Sequence, residues 1–169
     1  MASAEFTARV AEWQSFYAVL AGGSATFAGL LFVSLSVNPG ILAKEHEAAL
    51  RLARHTFGCF IYLVLIALVV MIPRQVPFGL GLPLFGMGLG ALIQTIRASR
   101  ESGRDPSALR LVRERSLYRL SMATYAILMV VAVALLLGKV LALYALVSLM
   151  IWQLAWASRL AWDLLLFRE

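Results

Sequence analysis

Residues 13–43 read WQSFYAVLAGGSATFAGLLFVSLSVNPGILA, 31 positions without an Asp, Glu, Lys or Arg. A helix that crosses the hydrocarbon core of a bilayer needs about 20 predominantly apolar residues. A charged side chain at its centre costs roughly 2.5 to 3.5 kcal/mol. This stretch is therefore long enough and apolar enough to cross a membrane, and Asn38-Pro39-Gly40 predicts a turn at its end.

Four more stretches without charge follow, at residues 55–73, 75–96, 120–138 and 140–158. The 169-residue chain has 15 Lys and Arg and nine Asp and Glu, so 14 % of it is charged, against about 25 % in soluble domains. All of these charges lie outside the five stretches. The pattern predicts an all-α, polytopic transmembrane helical bundle and excludes a soluble domain, a disordered chain, a disulfide framework and a coiled coil.

We expect one transmembrane domain over residues 1–169. Its five spans are predicted at about residues 16–37, 56–72, 76–96, 120–137 and 140–157, with an Arg-rich cytoplasmic loop over 97–119. Because the third span contains Pro83 and several glycines, the alternative is four spans plus a re-entrant segment. Five spans are favoured, since an uncharged segment that failed to cross would need its irregular backbone buried in protein.

The segments beside the first two spans are predicted to be helical as well. In residues 1–15 and just beyond, Phe6, Val10, Trp13 and Tyr17 recur at helical spacing, which predicts a short interfacial helix. The first span is expected to be a retained anchor, because no positively charged region precedes it. The polar residues 44–54 are expected to continue directly into the second span.

Lysine and arginine are retained on the cytoplasmic side of a membrane protein. With five spans, 12 of these residues fall on one side and three on the other, so the N-terminus is expected outside and the C-terminus in the cytoplasm. With four spans the count becomes 11 against four, and both termini are cytoplasmic. The expected location is the bacterial inner membrane.

The five stretches carry no side chain that binds or relays charge, which argues against proton-coupled carriers and voltage sensors. Only His55 lies within one, so haem binding is not expected. His46, between two glutamates, is read as part of a solvated face, because adjacent residues on a helix point in different directions. Cys59 is the one cysteine and forms no internal disulfide.

No nucleophile elbow, phosphate-binding loop or zinc-protease motif is present in the sequence. We therefore expect no enzyme activity, no catalytic residue, no metal and no cofactor. A membrane enzyme that acts on lipid, with His55 as its one candidate group, is the weakest hypothesis.

Small residues predict where helices pack. In the first span, Gly22, Ala25, Thr26, Gly29, Val33 and Ser36 share one face within about 100°. In the third span, Gly86 and Gly90 form the Gly-x-x-x-Gly spacing that lets membrane helices approach closely. The predicted helix-packing residues are Gly22, Ala25, Gly29, Ser36, Gly86 and Gly90.

A more polar face of the first span carries Ser24, Ser34 and Asn38. We expect these side chains to bond to preceding backbone carbonyls of their own helix. The alternative is that Ser34 and Asn38 line the pore of a small homo-oligomeric channel or passive pore, gated where the third span bends.

Arginines and tryptophans suggest contacts at the membrane surface. The Arg-rich loop is expected to attract anionic lipid, at roughly 1 kcal/mol per basic residue. As an alternative, Arg104, Arg110, Arg113 and Arg115 dock an acidic partner. Nucleic acid is not expected, because Tyr118 is the one aromatic residue among these arginines.

The end of the fifth span carries Trp152, Trp156, Arg159 and Asp163 on one face. Tryptophans at this depth are typical of the aromatic belt that anchors a membrane protein. The alternative is a site for a lipid headgroup between helices.

The first span resembles a known group of proteins. The pattern is Trp13-x-x-Phe16-Tyr17, then Gly22-Gly23-x-Ala25, then a run from Gly29 to Asn38. It is similar to the first span of small uncharacterised bacterial polytopic inner-membrane proteins, some labelled by homology as modulators of a membrane ATP-dependent protease. The resemblance implies a bacterial inner membrane and assigns no catalytic residue.

Together these features predict a non-catalytic integral membrane protein. It is expected to be a structural or regulatory component that packs with itself, as a homo-oligomer, or with a larger membrane complex. Its expected surroundings are the lipid bilayer and anionic lipid. The channel is the alternative function.

Overall fold

A computed structural model describes residues 2–37, 47–102 and 111–166, and this part of the chain is entirely helical apart from short turns. Its six helices are α1 (Ala2–Glu12), α2 (Gln14–Val37), α3 (Glu47–Val70), α4 (Pro77–Ser102), α5 (Leu111–Leu136) and α6 (Leu141–Leu166). Helices α2 to α6 are each long and apolar enough to cross a membrane. The predicted all-α bundle of five transmembrane spans is confirmed.

The third span is one continuous helix. Helix α4 contains Pro83 in its interior, yet its membrane-spanning stretch Pro77–Arg100 has 24 residues. At 1.5 Å per residue this is about 36 Å, longer than the hydrocarbon core of about 30 Å. The structure therefore favours five spans over four spans with a re-entrant segment.

Several helices extend beyond the apolar stretches that predicted them. Helix α3 begins at Glu47, as the predicted continuation of residues 44–54 into the second span requires, and α6 runs on to Leu166. Apolar residues determine which part of a helix lies in lipid. The backbone hydrogen bonds of a helix are internal to it and can continue past that boundary. Lysine and arginine side chains near the boundary reach the headgroup region.

Helix α1 confirms the predicted N-terminal helix. Phe6 and Val10 are buried, Trp13 is half-buried, and Tyr17 of α2 is buried. The hydroxyl of Thr7 donates a hydrogen bond to the backbone carbonyl of Gln75, at 2.8 Å. This bond ties α1 to the loop between α3 and α4.

Substitution Thr7→Val is expected to loosen α1, because it removes this hydrogen bond while keeping the side-chain shape. The hydrogen bond contributes about 1 kcal/mol to the stability of α1, so its removal corresponds to roughly fivefold faster amide exchange there. Hydrogen exchange measured by mass spectrometry checks this. Thr26→Val is the matched control, since the Thr26 hydroxyl bonds to Gly22 of its own helix. Equal exchange in the two variants would refute the contact.

The turn between α5 and α6 has a defined glycine C-cap. Gly138 has a positive φ of 72°, its N–H bonds to Leu135, and the N–H of Lys139 bonds to Ala134. These two bonds form a Schellman motif, in which glycine adopts the left-handed conformation without strain. The turn lies between the stretches that the sequence predicts as the fourth and fifth spans.

The helices form two compact units. The first contains residues 1–9 and 74–149, with α4 and α5 as a closely packed pair. Its largest fully buried side chains are Phe6, Leu80, Leu84, Leu128, Leu135, Leu143 and Leu146.

The second unit contains residues 10–73 and 150–169, in which α2 packs along α3. Leu31 of α2, Ala53 of α3 and Leu164 of α6 belong to one buried cluster. Phe27 and Phe60 stack with ring centroids 5.5 Å apart. The α2–α3 pair and the C-terminal part of α6 thus share an apolar core.

Candidate functional site

The predicted small-residue face of α2 is exposed. Helix α2 buries the opposite side, through Tyr17, Leu20, Ser24, Ala28 and Leu31. Only 22 % of the residues in its membrane-spanning stretch are buried, against 44 % in that of α3. The exposed predicted packing residues are Gly22, Ala25, Gly29 and Ser36. We call these four residues the α2 face.

The glycines of the α2 face have no packing role within the described chain. A Cβ atom placed on Gly22 or Gly29 would meet nothing within 4 Å. Glycine in a helix interior is about 1 kcal/mol less favourable than alanine. The fold of the described residues therefore gives no reason for glycine at these two positions.

The close approach of α4 to α5 uses glycines that the sequence analysis did not select. A Cβ on Gly81 would lie 2.6 Å from Leu136 Cγ and 2.9 Å from the carbonyl oxygen of Ala132. A Cβ on Gly88 would lie 2.9 Å from Met129 Cγ. The two glycines are seven residues apart, which places them on one face of α4. That spacing is the signal that could have identified them.

Gly86 and Gly90 lie elsewhere on α4. Gly86 is exposed, Gly90 is half-buried, and a Cβ on either would meet nothing within 4 Å among the described residues. Neither glycine is used to bring α4 close to α5. Their role in helix packing stays a prediction, for contacts outside the described residues.

The hydroxyl groups of α2 behave in two ways. Thr26 and Ser36 each donate to the carbonyl four residues earlier, at 2.9 Å. For Ser24 the expected bond to a preceding backbone carbonyl is wrong. Its side chain is fully buried and has no hydrogen-bond partner among the described residues. Of the predicted pore-lining pair, Ser34 is half-buried and Asn38 lies outside the described residues.

The predicted lipid-headgroup residues share a side of α6. The rings of Trp152 and Trp156 stack with centroids 6.5 Å apart and planes 11° from parallel. Trp152 and Arg159 are exposed, whereas Trp156 and Asp163 are half-buried. The arrangement presents an aromatic surface and a cation on the outside of the unit.

Most of the predicted docking arginines fall outside what the structure describes. Arg104 and Arg110 lie outside the described residues, and Arg113 and Arg115 belong to α5 without described side chains. Within the predicted Arg-rich loop of residues 97–119, Arg97 and Arg100 belong instead to α4 and Arg119 to α5, and all three are exposed.

His55 and Cys59 are one helical turn apart on α3, with 3.8 Å between Nε2 and Sγ. Two such ligands fall short of the four that a structural zinc site uses. No group of three or more His, Cys, Asp or Glu that could hold a metal occurs among residues 2–37, 47–102 and 111–166. His46 lies outside these ranges.

The chain matches no protein-family model, no curated protein and no solved structure.

Proposed function

We propose that this protein is a non-catalytic component of a membrane assembly that packs with itself or with another membrane protein. Contact is made through the α2 face and, on α4, through Gly86 and Gly90. The observation that carries the proposal is the exposure of Gly22 and Gly29 on the least buried span.

Small exposed residues suit helix association in lipid. Lipid chains are as apolar as leucine, so helices in a membrane associate through close van der Waals contact and hydrogen bonds. Glycine permits that contact because its backbone is not shielded by a side chain. Thr26 and Ser36 keep their hydroxyl groups bonded within α2, so a partner helix meets no unsatisfied donor at these two positions.

A cysteine scan along α2 tests the proposal in native membranes. In a Cys59→Ala background, single cysteines replace successive residues from Gly22 to Ser36, and oxidative cross-linking is measured. Self-association through the α2 face predicts cross-linking at Gly22, Ala25 and Gly29 but not at the buried Ala28. Cross-linking without helical periodicity would contradict this interface.

The proposed location is the bacterial inner membrane, with the N-terminus outside and the C-terminus in the cytoplasm. The asymmetry of lysine and arginine supports it, as does the resemblance of the first span to small inner-membrane proteins.

A single-cysteine variant tests this orientation. We expect Ser102→Cys, in the Cys59→Ala background, to react with a membrane-impermeant maleimide only after the cells are opened, because the Arg-rich loop is cytoplasmic. A cysteine at Arg74, in the loop after the second span, is the control and should react in intact cells. Labelling of position 102 from outside would refute the orientation.

The proposed lipid partner is anionic phospholipid, held at the side of α6 that carries Trp152, Trp156, Arg159 and Asp163. The stacked indoles and the exposed guanidinium of Arg159 support it. Tryptophan rings favour the headgroup region, and a cation there attracts anionic lipid.

A further inference from the structure

Three polar atoms in the second unit are buried without a hydrogen-bond partner in the part of the chain that the structure describes. They are the hydroxyl oxygens of Tyr17 and Ser24 and the indole nitrogen of Trp156. Tyr17 and Ser24 are both 0 % exposed. Such an unsatisfied group costs about 1 to 3 kcal/mol. Three of them in one small unit require an explanation.

Ser24 differs from other hydroxyl residues of these helices. A serine or threonine inside a helix has a ready partner in the carbonyl four residues earlier. Seven side chains use it at 2.8 to 2.9 Å: Thr26, Ser36, Thr56, Thr95, Thr124, Ser148 and Ser158. Ser24 does not, so its hydroxyl is left for a partner outside its own backbone.

Ser24 and Trp156 are separated by similar numbers of residues from a buried cluster that their two helices share. Consecutive spans cross in alternating directions, so α2 and α6, the first and fifth spans, run the same way. Both helices contribute to the cluster of Leu31, Ala53 and Leu164. Counted back from that cluster at 1.5 Å per residue, Ser24 is about 10 Å away along α2 and Trp156 about 12 Å away along α6.

Two more polar side chains lie farther from that cluster, Tyr17 about 21 Å away along α2 and Gln153 about 16 Å away along α6. Tyr17 precedes Ser24 by seven residues and shares the buried side of α2. Gln153, only 7 % exposed, precedes Leu164 by 11 residues, or about three turns, and so lies on the same side of α6. Tyr17, Ser24, Gln153 and Trp156 are called the buried polar layer.

We propose that the buried polar layer is an internal hydration site, in which ordered water bonds to these four side chains inside the second unit. Buried waters typically make about three hydrogen bonds to polar groups that otherwise lack partners. All four side chains are neutral, so the site offers no charge to an ion. Indole only donates, whereas hydroxyl and amide groups donate and accept, and water can bond to each of these groups.

Indole NMR of the full chain in lipid nanodiscs tests the proposal. The four tryptophans give four ¹⁵N-indole signals, assigned by replacing each with phenylalanine, or by elimination where one variant does not fold. Magnetisation transfer from water to each indole N–H is then measured. The transfer to Trp156 is compared between the wild-type protein and single-residue variants.

We expect water transfer to Trp156 in the wild-type protein, because its indole nitrogen is buried beside the proposed water. Ser24→Ala should reduce the Trp156 transfer by about half or more, because the water loses one of roughly three partners. Ser158→Ala is the matched control and should leave the water transfer to Trp156 unchanged, since the Ser158 hydroxyl bonds to the Leu154 carbonyl. If Ser24→Ala does not fold, Tyr17→Phe takes its place.

Two results would overturn the hydration site. One is the absence of water transfer to Trp156 in the wild-type protein. The other is water transfer to Trp156 that stays at the wild-type level in Ser24→Ala, or in Tyr17→Phe where that variant replaces it, as it does in Ser158→Ala. The site does not depend on self-association, so its failure leaves the proposed function untouched.

Discussion

Replacement of Gly81 by alanine is expected to destabilise the protein by about 1 to 3 kcal/mol, the usual range for overpacking a close-packed contact. The new Cβ would lie 2.6 Å from Leu136 Cγ and 2.9 Å from the backbone oxygen of Ala132. A backbone oxygen cannot rotate away as a side-chain end can, so α4 and α5 must separate. Denaturant titration in mixed micelles, followed by circular dichroism, measures the change.

Alanine substitutions at two other glycines are compared with Gly81→Ala. Gly88→Ala is expected to cost less, because its nearest neighbour at 2.9 Å belongs to the flexible Met129 side chain. Gly58→Ala is the control, since a Cβ there meets nothing within 4 Å. It should be neutral or stabilise by up to about 1 kcal/mol, because alanine is the better helix former. Equal stability of the Gly81 and Gly58 variants would contradict the packing of α4 on α5.

Replacement of Gly29 by leucine is expected to break the proposed assembly without unfolding the chain. Position 29 is exposed and open, so a leucine fits there within the described fold. On a helix interface it holds the two backbones apart, and close approach is the source of association in lipid. We expect at least about tenfold weaker association, equivalent to about 1.4 kcal/mol. Förster transfer between labelled chains in liposomes measures it.

The control for this prediction adds bulk at an exposed position outside the α2 face. Val130 of α5 is 70 % exposed, so Val130→Leu should leave association unchanged. Association of the Gly29→Leu variant at wild-type strength would remove the α2 face as the interface.

The sequence predicts much of this fold because membrane insertion depends on composition. Stretches without charge located all five spans, and the spacing of Phe6 and Val10 predicted that α1 has a buried side. The short gap between the fourth and fifth stretches predicted a tight connection, and the structure forms it at Gly138, which has a positive φ. Each of these signals is local and has a single physical meaning.

The packing of one helix on another was less predictable. The Gly86 and Gly90 spacing marks a face that permits close approach, but it does not say whether a neighbour is there. The neighbour lies instead along Gly81 and Gly88, whose contacts come from α5, a separate part of the chain. Ser24 illustrates the same limit. The sequence placed Ser24 on a face of α2 separate from the small residues, as the structure does. Only tertiary packing determines which of the two faces is buried.

Native mass spectrometry of the wild-type protein from a mild detergent tests the central claim most directly. The account predicts a species that contains more than one copy of the 18.5 kDa chain, or one copy with a bound membrane protein. A single chain carrying only lipid, in a detergent that preserves known weak membrane complexes, would contradict it.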